Sequence, residues 1–464
     1  MDFLPHKKIS TEIAPHHSTV AQPSILCSLF GATAALLLFS CAPKLDRGPT
    51  AAERYDAPIT PIQVPPTHTA EVYFQALIHA GSAFDPPGRE GLAALTAYRI
   101  APMGAEVEVD REWVSLRLRC HTDHQARCAD QFVKALQSPS FDPDPFPKLI
   151  KQESERLSMQ LLSSEERLGE EVFHQAVFDA HPYGHAPLGR FGSLSVLTPD
   201  HVQQFYRSHY RQSTVFVGFA GNYSTQTEAV LAELTLPGGK PPELLLPHPI
   251  SPQERQLIII QTDLPSTRFT LGHALPIGPH HPDWAALTVG IAALSQRAPE
   301  LRGQLVLPQR DLMLTLQPTS TANAPAALHR ALQELERLLE DGVSEDELAF
   351  INHSKEITKP SQQLNRKLFE RAVPNPVFTG EVTAESIRAA LHAYVHPKKL
   401  WIIATSNDSE NLRRSLLNTR TGDDTNTDVS ENPAHPRQDM AISTMNLGLS
   451  ADNITIRSSR GVFR

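Results

Sequence analysis

One order of strands and helices runs along this chain twice. Residues 71–80 (EVYFQALIHA) are rich in β-formers and partly alternate, which predicts a strand. A short helix over 88–100 follows, then two strands over 103–118 around the polar Asp110–Arg111 turn. An amphipathic helix over 124–137 ends before Pro139. Residues 147–180 repeat apolar side chains at helical spacing (Leu149, Leu157, Leu161, Leu168, Val172, Val177) and predict one long helical stretch. Thr198 and Pro199 open a further helix as N-cap and first-turn proline. Residues 215–220 (VFVGFA) read as a buried strand and 225–234 as a helix. A Pro/Gly-rich stretch over 237–252 then interrupts the pattern, as a linker would. Beyond it come strands over 256–261 and 268–274, a helix over 284–295, a strand over 312–317 and a helix over 324–341. A second helix start at Ser344 with Glu347 has a capping-box pattern, and 400–404 (LWIIA) is a last strand. The recurrence predicts an internal duplication. The fold class is α+β: two homologous halves, each a β-sheet faced by helices.

The boundaries follow. Lys7 and Lys8 precede the apolar run 24–39, which ends in Ser40–Cys41. A basic start, a short apolar core and small residues before the cut are features of a secretory signal. The run is shorter than the roughly 20 residues that span a bilayer. Leu38-Phe39-Ser40-Cys41 looks like a bacterial lipobox, which assigns 1–41 as a signal peptide and Cys41 as the lipidated residue. A plain cleaved signal and an uncleaved anchor are the alternatives. Ala42 after that cysteine fits sorting to the outer membrane, facing the periplasm, by resemblance to known lipoproteins; secretion or inner-membrane anchoring are the other addresses. Residues 42–66 read as a tether, 67–236 as the first half, 237–254 as the linker, 255–408 as the second half and 409–464 as a disordered tail. An exported chain keeps Cys120 and Cys128 in an oxidising compartment, where they can pair across a turn or remain two free thiols. The net charge of −9 has no basic cluster and argues against a nucleic-acid partner.

Several short runs then resemble one family, the insulinase/pitrilysin zinc metallopeptidases, which includes the subunits of the mitochondrial processing peptidase. They are Ala80-Gly81-Ser82 with Asp85-Pro86 and Gly91-Leu92-Ala93, then Met103-Gly104-Ala105, then His181-Pro182-Tyr183-Gly184 with Gly189 and Leu197-Thr198, and in the second half 342–348. Their order and spacing carry the resemblance. Active members place HxxEH directly after the Gly-Leu-Ala; its histidines share a zinc and its glutamate is the general base. A later helix supplies one more glutamate. Here the three positions are Ala94, Ala97 and Tyr98, none of which can do that work. Glu153, Glu155, Glu165, Glu166, Glu170 and Glu171 lie in the later helical region. The substrate-binding Arg and Tyr of active members fall in 295–317, where Arg297 and Arg302 stand without a tyrosine.

The resemblance therefore implies a non-catalytic relative, with no metal and no cofactor. It would pair with an active, zinc-bearing homologue as a membrane-tethered scaffold subunit. The alternatives are a module that holds extended peptides by itself, and a hydrolase with a different site. His181 and His185 are separated by helix breakers and read as a structural turn. His121 and His124 beside Cys120 and Cys128 read as surface histidines, with a mixed metal site as the alternative. His280 and His281 read as a solvated loop, and the acidic run at Glu334, Glu336, Glu340, Glu345 and Glu347 as a solvated helix face.

Overall fold

The computed structural model describes residues 55–247, 249, 251–278, 281–305, 311–353, 359–373, 382–418 and 447–461, all within the unit Pro49–Arg464. Cys41 and its apolar run lie outside the described residues. Among the described residues no helix is long and apolar enough to cross a membrane.

The first sheet holds β1 (Ile62–Gln63), β2 (Glu71–Ile78), β3 (Glu106–Val109), β4 (Val114–His121) and β5 (Val215–Gly221), in the order β1-β5-β2-β4-β3. The second holds β6 (Gln256–Gln261), β7 (Arg268–Ala274), β8 (Leu301–Leu305), β9 (Asp311–Leu316), β10 (Trp401–Ser406) and β11 (Ile454–Ser458), in the order β11-β6-β10-β7-β9-β8. With β11 set aside, the two orders are the same arrangement. β1 lies parallel to β5 as β6 does to β10, and the remaining pairs of each five are antiparallel. The duplication expected from the sequence is thus repeated strand by strand.

The halves also exchange a helix. Glu165–Phe178, from the first half, packs on β7 and β10 of the second sheet. Pro360–Ala372, from the second half, packs on β5 and β2 of the first sheet. These are equivalent strands, so the exchange is reciprocal. It accounts for the burial of the central strands on both faces, as in β2, where Val72, Phe74, Gln75, Ala76, Leu77 and Ile78 are all buried. Leu364 and Leu368 of the incoming helix join Leu77, Trp113 and Ala220 in a separate small core. Gln75, buried on that face, donates to Ser115 Oγ at 3.0 Å and to Asn365 Oδ1 at 2.7 Å. Phe173 of the Glu165–Phe178 helix belongs to the first core together with Ile258, Ile260 and Ile403 of the second sheet.

Four expectations are corrected. The helical stretch over 147–180 is two helices, Phe146–Leu162 and Glu165–Phe178. Ser164 ends the continuity, because its side chain accepts from Arg167 N–H and caps the second helix, whose first turn is acidic. The stretch 42–66 is not all tether: Ile62 and Gln63 pair with Gly218 and Phe219, and Val64 is buried. The region after 408 is not all disordered. Ser409–Asn418 is a helix with Leu412 and Leu416 buried, and β11 pairs in parallel with β6. Residues 419–446 lie outside the described residues. The second half also contains strand β8 and the helices Pro360–Ala372 and Ala384–Tyr394, for which the sequence reading had no element.

Candidate functional site

The element to which the resemblance assigns a metal is the helix Leu92–Ile100. It has no local cap: its N-cap is Gly91, in the left-handed region at φ 97°. The capping acceptor comes from outside. Asp85 Oδ2 takes Gly91 N–H at 2.7 Å and Oδ1 takes Ala93 N–H at 2.7 Å. His185 Nε2 backs the same carboxylate at 3.3 Å. Burial pushes the Asp85 carboxyl up, opposed by His185 and the two amides. Gly91 lies against the backbone at 188–189, where an added Cβ would meet Leu188 O at 2.7 Å. The run 181–189 is therefore the bracket of this helix, with His181 Nδ1 accepting from Tyr183 N–H at 3.0 Å.

The positions that would bear ligands are filled. Ala94 is 1% exposed and Ala97 0%, both within the first core. Tyr98 is half-buried, with the Arg156 guanidinium 3.7 Å from its ring centroid, a cation–π contact from the neighbouring helix Phe146–Leu162. Glu153 is on that helix too. Its Oε2 is buried, has no hydrogen-bond partner, and stands 3.5 Å from Arg156 Nε. Among the described residues no group of three His, Cys, Asp or Glu is placed to hold a metal ion.

Burial raises the Glu153 carboxyl from 4.5 to about 7, against the opposing charge of Arg156. Between those pH values the folded chain keeps a proton that the unfolded chain has released. The stability from this group is complete below about pH 4.5 and is lost as pH rises through about 7. Glu153→Gln should therefore match the natural chain at pH 4.5 and exceed it by about 1–3 kcal/mol at pH 8. Thermal midpoints at the two pH values check this; equal midpoints at pH 8 would show that the carboxylate is well solvated.

No family model and no curated protein matches the chain. Solved structures do. A peptidase M16 inactive domain from Pseudomonas fluorescens superposes with a TM-score of 0.66 at 18% identity, over 75% of this chain and 95% of that one. The fold is that of the M16 peptidases. A chain of Complex III2 from Candida albicans matches with a TM-score of 0.61 at 14% identity, over 76% and 94%. The first half of the periplasmic protease PqqL from Escherichia coli matches with a TM-score of 0.57 at 12% identity, over 76% and 90%. The insulinase-type likeness read from the sequence and the M16-type fold agree.

The other residues singled out by sequence are dispersed. Cys120 Sγ and Cys128 Sγ are bonded to each other, with Cα atoms 6.6 Å apart, across a short 3-10 turn. They are thus occupied and do not join His121, whose Nδ1 is 3.2 Å from Asp123. Arg297 forks onto Glu347 at 2.6 and 2.8 Å and donates to Gly342 O at 2.6 Å, tying two helices together. That fork holds the Glu347 carboxyl down at about 2. Arg302 is exposed on β8. Glu336 pairs with Arg255 at 3.0 Å, so the acidic run is not uniformly solvated. His280 lies outside the described residues.

Sequence reasoning missed the buried pairs, Asp85 with His185 and His174 with Asp311 among them. His174 Nε2 is 3.1 Å from Asp311 Oδ2, joining the exchanged helix to β9. Nothing local announces a partner so far along the chain.

Proposed function

We propose that this chain is a non-catalytic M16-type subunit that pairs with a zinc-bearing relative and helps to shape its peptide chamber. The observation that carries this reading is the filled helix: Ala94 and Ala97 are core residues, and Tyr98 lies under Arg156. A position at 0% exposure offers neither a ligand nor room for water, which the metal chemistry requires. Retention of the duplicated fold without the ligands fits a role in assembly. One structural neighbour is a chain of Complex III2 and another a periplasmic protease, which supports a multi-subunit setting and an exported address. The address rests on 1–41 as a signal and on Cys41 as the lipid anchor, and Cys120 with Cys128 as the disulfide of an oxidising compartment.

The test is purification of the full-length chain from its own envelope. It should carry under about 0.1 zinc per chain, cleave no unstructured peptide, and bring down a second M16-type chain with HxxEH intact. Stoichiometric zinc with chelator-sensitive cleavage would end this reading. A second reading, a lone peptide-binding module, is favoured by β3, an edge strand close after the helix Leu92–Ile100, onto which an extended peptide could add. Recovery of peptide ligands without any homologous chain would select it.

A further inference from the structure

The second sheet has one strand more than the duplicated plan. Among the described residues the sheet of the first half ends at β1; in the second, the equivalent strand β6 is covered by β11. β11 adds in parallel, from Ile454 opposite Leu257 to Ser458 opposite Gln261. Among the described residues no strand pairs with its other edge, and Thr455, Arg457 and Ser458 are exposed. Behind it, a few anchors seat the segment. Leu447, Leu449 and Ile454 are buried in the second core, and Asn453 Oδ1 accepts from Ser450 N–H at 2.7 Å to close a turn between them.

The receiving side is built around a buried cation. Arg255 immediately precedes β6 and is 8% exposed. Its Nε donates to Pro397 O at 2.8 Å, its Nη2 to Glu336 at 3.0 Å, and its Nη1 to Leu447 O at 2.9 Å. The first two partners belong to the body of the second half. The third is a backbone carbonyl of the C-terminal segment. Without that carbonyl a buried charged N–H would lack its partner, which is costly. The groove therefore asks for a peptide backbone, with apolar side chains at set positions.

We propose that the edge of β6 together with Arg255 is an acceptor groove for an extended peptide, with one leucine whose carbonyl accepts from the Arg255 guanidinium, a second leucine two residues on and a β-branched residue five further. Residues 447–461 occupy it in cis, as an exchangeable self-ligand. Recognition is by strand addition, with main-chain bonds giving affinity and the leucine seats giving selectivity.

The experiment uses the full-length chain with a specific protease site inserted between Asp424 and Thr425. After cleavage, a fluorescein-labelled synthetic peptide of residues 447–461 is added in excess. Fluorescence anisotropy and native mass spectrometry should show one labelled peptide replacing one cleaved segment, with circular dichroism unchanged. The test variants are placed in the peptide, so the fold of the protein is not at stake. Leu447→Ala with Leu449→Ala should weaken uptake at least about ten-fold. Thr455→Pro with Ile456→Pro should abolish it, since backbone N–H groups alternate along a strand and one of the two faces β6. The proposal is overturned if the cleaved segment stays bound without exchange, if it leaves and the labelled peptide does not enter, if cleavage unfolds the chain, or if the proline peptide binds as well as the natural one.

Discussion

Replacing His174 by alanine should lower the thermal midpoint by roughly 5–10 °C, corresponding to a loss of about 3–5 kcal/mol. The reason is the isolation of the pair. His174 Nδ1 lies 2.7 Å from Glu170 O, a group that only accepts, so Nδ1 carries a proton. Nε2 faces Asp311 Oδ2 at 3.1 Å, and a proton held between them satisfies both atoms. The other oxygen, Asp311 Oδ1, is already buried without a partner. Alanine at 174 would leave the whole carboxylate uncompensated at a fully buried position. The loss should fall on the joint between the halves, because the Glu165–Phe178 helix is the first half's contribution to the second sheet. A double change, His174→Ala with Asp311→Ala, removes the charge with its partner and should recover about half of the loss. The coupling in a double-mutant cycle should then exceed about 2 kcal/mol. Single and double variants that lose stability additively would mean that the two side chains act independently.

That pair marks where sequence reading stops. The central strands and the amphipathic helices were legible because each carries its own periodicity, and the duplication because the same order occurs twice. Helix exchange has no such signal. Leu364 and Leu368 announce a helical face, but not that the face meets Leu77 and Ala220 of the other half. β1 is two residues long and β11 five, too short for alternation to separate them from proline-rich or polar surroundings. Their pairing is decided by β5 and β6. The break at Ser164 was legible in principle, since a serine followed by Glu165 and Glu166 is a start signal. Apolar spacing that continues across it hid the break. The candidate site divides in the same way. Ala94, Ala97 and Tyr98 stand out by resemblance to a motif. Glu153 stands among several glutamates, and only burial, with Arg156 beside it, distinguishes it.

Restoring the motif should therefore destabilise the chain before it restores chemistry. In Ala94→His/Ala97→Glu/Tyr98→His, two of the new side chains enter positions that are 1% and 0% exposed. Overpacking costs about 1–3 kcal/mol at each such site. A glutamate at position 97 adds the desolvation of a carboxylate within the apolar first core, several kcal/mol more. Removing the Tyr98 ring releases Arg156 from its 3.7 Å contact and leaves it beside Glu153 alone. The summed loss is comparable to the whole stability of an ordinary domain. The triple variant should express poorly, or melt at least about 10 °C below the natural chain with less than 0.1 zinc per chain. Tyr98→His alone, at a half-buried position, should lose only about 1–2 kcal/mol and serves as the control. Metal analysis and thermal melts of the three proteins decide the matter. A triple variant that melts with the natural chain and binds one zinc would mean that this helix still frames a metal cavity, with Glu153 as its waiting carboxylate. Collapse of the triple variant beside a control that loses only about 1–2 kcal/mol would show that the packing around Ala94 and Ala97 itself excludes a metal site from this helix.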